Sequence, residues 1–147
     1  LMQNKLFLVG NSETKHHRGK YDKNIFEKIP LIYREQGSGT RHVMEKFIRK
    51  NNLPVKKKME LSSNEAVKQA VLAGLGYSIM PLIGIKNELE DHQLQIISVK
   101  GFPVKSTWFL IWLKGKQLSP VAASYLAYVK KEKQKIINEK FDWIEKY

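Results

Sequence analysis

The stretch from Pro30 to Arg41, Pro-Leu-Ile-Tyr-Arg-Glu-Gln-Gly-Ser-Gly-Thr-Arg, constrains the fold more than any other part of this chain. A short apolar run ends there in a polar turn broken by Gly37 and Gly39. Helical spacing starts at once, with Val43, Phe47 and Ile48 on one face of 41–51. Strand, tight turn and helix in immediate succession make the first half of a βαβ unit. The helix N-terminus then sits over the strand end, where free N–H groups and the helix dipole favour an anion. Gly37 and Gly39, which lack Cβ atoms, permit a tight bend and a close approach of backbone to ligand. Ser38 and Thr40 offer a helix cap and hydroxyls. Arg41 adds a fixed charge suited to a carboxylate or phosphate. The stretch reads as an anion cradle without an evident catalyst.

The same alternation runs through most of the sequence. Lys5–Val9 and Leu31–Tyr33 read as strands, with one helical turn near Asn24–Lys28 between them. Pro54 closes the first helix and introduces a strand at Lys56–Leu61. Ser62 and Glu65 then have capping-box spacing for a second helix, which stops at Gly74-Leu-Gly76. Tyr77–Met80, Gln95–Val99 and the apolar, aromatic-rich Thr107–Leu113 read as further strands, with weak helical character at Ile83–Glu90. Ser119-Pro120 places a cap and an N1 proline before a helix with Val121, Tyr125, Leu126 and Val129 on one face. Beyond Lys130 the pattern is dominated by charge and is expected to fray. Strands alternating with helices imply an α/β fold with a mixed, mostly parallel sheet flanked by helices. Ligands gather at the carboxyl ends of such strands. Arg34 to Arg41 and Leu61 to Glu65 are the two junctions with that geometry, so the second contributes Ser63 and Asn64 to the expected site.

At 147 residues the chain has the size of one ordinary domain, and it contains no cysteine, which excludes disulfides, thiolate metal sites and cysteine catalysis. The net charge of +12 raises the question of nucleic acid. The charge is scattered, however, over Lys15–Lys20, Lys56–Lys58 and Lys130–Lys135, with no zinc-finger spacing, RNA-recognition motif or internal helix-turn-helix. A solvated basic surface is the favoured reading. His16-His17 lies in a basic loop without an acidic cluster, so no metal is expected there. Trp108, Phe109 and Trp112 are expected to pack in a core or crossover strand. No Gly-x-Ser-x-Gly elbow, P-loop or metal-ligand spacing is present, so an enzyme is not expected and no cofactor is implied.

Three segments together carry a family resemblance. They are Tyr33-Arg-Glu-Gln-Gly-Ser-Gly-Thr-Arg41, Glu60-Leu-Ser-Ser-Asn-Glu-Ala-Val-Lys-Gln-Ala-Val-Leu-Ala-Gly-Leu-Gly-Tyr-Ser-Ile-Met-Pro81, and Trp108-Phe-Leu-Ile-Trp-Leu-Lys-Gly-Lys-Gln-Leu-Ser-Pro-Val-Ala-Ala-Ser-Tyr-Leu126. In order and spacing the chain resembles the effector-binding domain of LysR-type transcriptional regulators from about Leu6 to Tyr128. With Gly-Phe-Pro103 before the last strand it looks nearest to the branch that regulates carbon-dioxide fixation operons. Asn11–Lys20 departs from the Pro-x-x-His-Pro-Leu segment common in the family and takes no role from it.

The resemblance implies a type 2 periplasmic-binding-protein-like fold. Residues 1–107 would form the second effector-binding subdomain, with an incoming crossover strand near 5–10. Residues 108–130 would be the returning strand and helix, and 131–147 a charged extension. Starting at Leu1, the chain is expected to be a fragment that lacks the helix-turn-helix. Operator DNA would then be contacted only through that missing domain, in a cytoplasmic homo-oligomer with no membrane association. The expected effector is a small anionic metabolite bound by Arg34, Gly37, Ser38, Gly39, Thr40, Arg41, Ser63 and Asn64. The alternative is a transporter's solute-binding protein of the same fold.

Overall fold

The computed structural model describes residues 2–15 and 19–147, so the His16-His17 pair lies outside the described residues. The chain divides into two compact units, Asn4–Ser106 and a second made of Leu1–Gln3 with Thr107–Tyr147.

The larger unit is built on β1 (Gln3–Asn11), β2 (Pro30–Arg34), β3 (Lys56–Leu61), β4 (Ser78–Pro81), β5 (Leu94–Ile97) and β6 (Val104–Thr107). β1 pairs antiparallel with β4, Leu6 opposite Pro81, and with β5, Leu8 opposite Ile97. β6 also pairs with β1. β2 and β3 pair in parallel from Pro30–Lys56 to Arg34–Leu61. The two ladders meet at a parallel bridge between Leu31 and Tyr77, where Ile32 N–H donates to Tyr77 O (2.7 Å) and Tyr77 N–H to Pro30 O (2.9 Å). Followed through these pairings, β2, β3, β4 and β5 run one way and β1 runs against them. The expected mixed pairing is present, with a parallel β2–β3 ladder, while the ladders of β1 with β4 and β5 are antiparallel.

Burial on both faces explains the composition of β1. Leu6 and Leu8 join a cluster with Phe26, Leu31, Met44, Phe47 and Ile79, while Phe7 and Val9, of opposite parity, are buried too. A strand covered on both sides reads as a continuous apolar run, as Leu6–Val9 does. The cover includes α1 (Gly39–Lys50) and α2 (Asn64–Leu72), which bury Met44, Phe47 and Ile48, and Val67, Ala70 and Val71. The i, i+3, i+4 spacing in both is that of one helical face. α3 (Lys86–Glu90) follows a 3-10 turn at Leu82–Gly84, so the weakly patterned 83–90 segment is only partly α-helical.

In the smaller unit, two expectations fail. Thr107–Leu113 is not a strand beyond Thr107: Trp108–Leu113 has no regular structure, and Phe109, Ile111 and Trp112 are exposed. An apolar run becomes a strand only where another backbone offers donors and acceptors, and among the described residues no ladder is formed by 108–113. Trp108, Phe109 and Trp112 therefore do not form the expected packing. The last helix, α4 (Pro120–Lys140), is capped by Ser119 Oγ, which accepts from Ala122 N–H (3.3 Å), and runs ten residues past Lys130. The basic residues of its second half are good helix formers, which is why charge does not end it. Val121 and Tyr125 of the apolar stripe are exposed, while Leu126 and Val129 are half-buried.

Two outcomes follow from this packing. A Cβ on Gly76 would stand 2.8 Å from Pro30 O, the acceptor that joins β4 to β2. Gly76→Ala should therefore destabilise the chain by about 1–3 kcal/mol in urea unfolding. Separately, Ile111 is 89% exposed and Leu113 72%. Ile111→Lys with Leu113→Lys should reduce self-association in sedimentation velocity, because contiguous exposed apolar residues drive association.

Candidate functional site

Parallel pairing decides where the site residues lie. β2 leads into α1 and β3 leads into α2, so both helix N-termini fall at the same edge of the β2–β3 pair. Ser38 caps α1, its Oγ accepting from Arg41 N–H (3.3 Å), and α1 begins at Gly39, two residues before the expected start. Gly37 has φ +88°, a conformation that favours glycine, and Gly39 does not. A Cβ at Gly39 would meet nothing within 4 Å, so the fold itself makes no demand for glycine there. Thr40 sits within the first helical turn and is not the cap. The N–H groups of Gly39 and Thr40 have no intrahelical acceptor.

At the second junction Ser63, not Ser62, is the cap, its Oγ accepting from Ala66 N–H (3.0 Å). The expected Ser62–Glu65 capping box is not formed. With the helix starting one residue later, Glu65 stands in the first turn and reaches forward, accepting from Gln69 Nε2 (2.8 Å) and pairing with Lys68 (2.9 Å).

The two junctions are tied together by Arg34, which donates from Nη1 to Asn64 Oδ1 at the start of α2. The other side of its guanidinium forms a bidentate pair with Glu35, at 2.7 and 2.9 Å. Arg41 is held more fully. Its Nε donates to Glu45 (2.7 Å), and its Nη1 to Glu60 (2.7 Å) and to Arg34 O (3.1 Å). One side chain, 12% exposed, thus ties α1 to the ends of β2 and β3. Its guanidinium carbon lies 5.7 Å from the centre of the buried Tyr33 ring, which Lys57 approaches at 5.5 Å. The Lys57 ammonium and the Arg41 guanidinium hold Glu60 below the usual carboxylate range, and Arg34 does the same for Glu35. Burial, reinforced by the charge of Glu45, pushes the Tyr33 phenol up.

An open depression of about 530 Å³ lies over the α1 N-terminus, lined by Gln36, Gly37, Ser38, Gly39, Arg41, His42 and the carboxylate-bearing Glu45, which is paired with Arg41. The structure thus gathers Gly37, Ser38, Gly39 and Arg41 around one concavity, leaves Thr40 out of its lining, and brings Arg34, Ser63 and Asn64 together at the neighbouring junction. The partners Glu35, Glu45, Glu60, Lys57 and Tyr33 were not foreseen. The i, i+4 spacing of Arg41 and Glu45 was the one available signal for any of them.

With this geometry, comparison with known proteins is decisive. The model of the LysR substrate binding domain matches residues 1–134. The HTH-type transcriptional activator CmpR of Synechocystis sp. (strain ATCC 27184 / PCC 6803 / Kazusa) is 41% identical over 131 residues, covering 87% of this chain and 42% of that relative. The RuBisCO operon transcriptional regulator of Allochromatium vinosum is 42% identical over 102 residues, 69% of this chain and 34% of that one. The chain thus spans well under half the length of these relatives. Among solved structures, the Synechocystis PCC6803 CcmR regulatory domain in complex with 2-PG superposes with a TM-score of 0.80 at 29% identity, covering 87% of this chain and 62% of that one. The effector binding domain of QuiR in complex with shikimate, at 18% identity and a TM-score of 0.70 over 90% of this chain and 63% of that one, shares the fold. That fold is the type 2 periplasmic-binding-protein-like architecture. The relatives are named as transcriptional regulators, which favours a regulator over a transporter's solute-binding protein and points away from an enzyme. By sequence and by architecture, the chain belongs to the LysR substrate-binding domain family.

Proposed function

We propose that this chain is effector-binding machinery of a LysR-type transcriptional regulator and senses a small anionic metabolite carrying phosphate or carboxylate. The observation that carries this reading is the convergence of two capped helix N-termini with Arg34 and Arg41 at one edge of a parallel strand pair. Unsatisfied N–H groups, two aligned dipoles and two guanidinium groups favour negative charge there. Arg34, Gly37, Ser38, Gly39, Thr40, Arg41, Ser63 and Asn64 form the effector contact. Ser38 and Ser63 act chiefly as caps that fix where the free N–H groups point. The 2-PG bound by the CcmR domain is an anion of the class that this site would take.

Residues 1–107 serve as the second effector-binding subdomain, 108–130 as the returning segment and helix, and 131–147 as a charged extension. The working protein is a cytoplasmic homo-oligomer, has no catalytic activity, and meets operator DNA through a separate N-terminal domain. No helix among the described residues is long and apolar enough to cross a membrane. Effector binding stabilises one arrangement of the regulator, and the same free energy links effector affinity to operator binding.

Calorimetry with 2-phosphoglycolate, a sugar phosphate and neutral analogues tests the class of ligand. The anions should bind, and neutral analogues should bind at least tenfold more weakly; equal binding removes the proposal. Gly39→Ala should leave thermal stability unchanged and weaken anion binding, because its Cβ enters space that the fold leaves open. Arg41→Ala should weaken binding about thirtyfold or more if Arg41 pairs with the anion. A loss of stability with affinity intact would instead make Arg41 a clamp between α1 and the strands.

Glu60 competes for Arg41, and this sets a pH dependence. Its depressed pKa means that its contribution to stability is present above the ordinary carboxylate range and is lost as pH falls through the folded-state value. Glu60→Gln should flatten the acid limb of thermal stability and, by releasing one partner of Arg41, tighten anion binding at pH 7.

A further inference from the structure

A second concavity, of about 780 Å³, lies in the larger unit beside α1 and shares only His42 with the lining of the cradle over its N-terminus. α1 forms one wall, and Gly101 and Pro103 with Val104, Lys105 and Ser106 of β6 form the other. Lys23, Lys46, Lys50 and Lys105 line it together with His42, and among its described lining residues there is no Asp or Glu. Phe47 and Val104 supply apolar surface. Gly101 shapes the floor: at φ +95°, a Cβ there would stand 3.2 Å from the Phe47 ring and 3.3 Å from the Lys23 side chain. The backbone is thus drawn close to Phe47 and Lys23.

What sets this groove apart is that its lysines share one concavity with no acid in its described lining, and the charges of α1 fall into two rows. In one row of the helix, Arg41 and Arg49 share the carboxylate of Glu45 through i, i+4 pairs at 2.7 and 3.8 Å. The adjacent row, His42, Lys46 and Lys50, has the same spacing and no acid. Like charges at i, i+4 oppose helix formation. Lys50 has a local reason to be cationic, since it stands in the last turn next to the negative end of the dipole. Lys46 and Lys105 have none, and no described carboxylate pairs with them.

We propose that this groove is a second anion site, for a small molecule bearing two or more phosphate charges. Several lysines spread along a concavity match separated charges better than a single carboxylate, and lysine acts as a point charge towards phosphate. The concave shape with its Gly101–Phe47 floor favours a compact ligand over the backbone of a duplex.

Inorganic pyrophosphate is the probe, titrated into the chain at constant ionic strength and followed by calorimetry and amide chemical shifts. The Lys46, Lys50, Gly101 and Lys105 amides should shift, and Lys46→Gln/Lys50→Gln/Lys105→Gln should lower affinity at least tenfold. The three lysines are exposed, and circular dichroism checks that the fold is kept. Arg41→Ala should leave those shifts in place, which separates this site from the cradle whatever the fate of the first proposal. Shifts confined to Gly37–His42, unchanged affinity in the triple variant, or displacement of pyrophosphate by an equal phosphate concentration of duplex DNA would each overturn it.

Discussion

Parallel pairing of β2 with β3 is the constraint on which the rest of the site depends. Had the strands been antiparallel, α1 and α2 would begin at opposite edges, and no single ligand could meet both N-termini. Because the strands run together, each delivers its helix to the same edge, and Arg34 closes the gap through Asn64. The pairing itself stands on burial: Leu31 and Ile32 are fully buried, and β2 is joined to β4 through Tyr77. Sheet register therefore fixes the distance between the two dipoles before any ligand arrives.

The guanidinium groups at that edge are already occupied, and this shapes what binding costs. Arg41 spends its donors on Glu45, Glu60 and a backbone carbonyl, and Arg34 is bidentate to Glu35. An anion entering the cradle must share or displace carboxylates. The net gain is consequently smaller than a free guanidinium would give, but the side chains need little further ordering, which lowers the entropic cost of the contact. The unsatisfied N–H groups of Gly39 and Thr40 carry no such competition. In the proposed cradle, a contact to these groups would have no internal rival.

The legible parts of the fold were those governed by local chemistry. Polar turns after apolar runs located β2 and β3, and Ser38 announced a cap that the structure uses. Where a cap could fall on either of two adjacent serines, local reasoning chose Ser62 and the chain chose Ser63. A Ser62 cap would accept from Glu65 N–H, whereas Ser63 accepts from Ala66 N–H, and the helix phase that buries Val67, Ala70 and Val71 goes with the second. The failure at Trp108–Leu113 has a different origin. β propensity measures fitness for a half-buried pleated surface, and whether a partner strand exists is a non-local fact that no run of residues contains. Glu60, the distant carboxylate partner of Arg41, was hidden for the same reason, since it lies 19 residues away in sequence and comes near only through the β2–β3 register.

α1 carries both anion-attracting features, and its geometry limits how they communicate. Arg41 and Lys50 are nine positions apart, about 13.5 Å along a helix rising 1.5 Å per residue, and Lys46 is five apart, about 7.5 Å. Against the roughly 8 Å Debye length of physiological salt, direct Coulomb coupling is largely screened between the two ends of α1 and only partly screened between Arg41 and Lys46. His42 is different, because it lines both concavities. Any strong interdependence between cradle and groove must therefore pass through that side chain or through displacement of α1 as a unit. The cap at Ser38 and the buried Met44, Phe47 and Ile48 resist such displacement. The two sites should then titrate nearly independently until His42 itself is engaged.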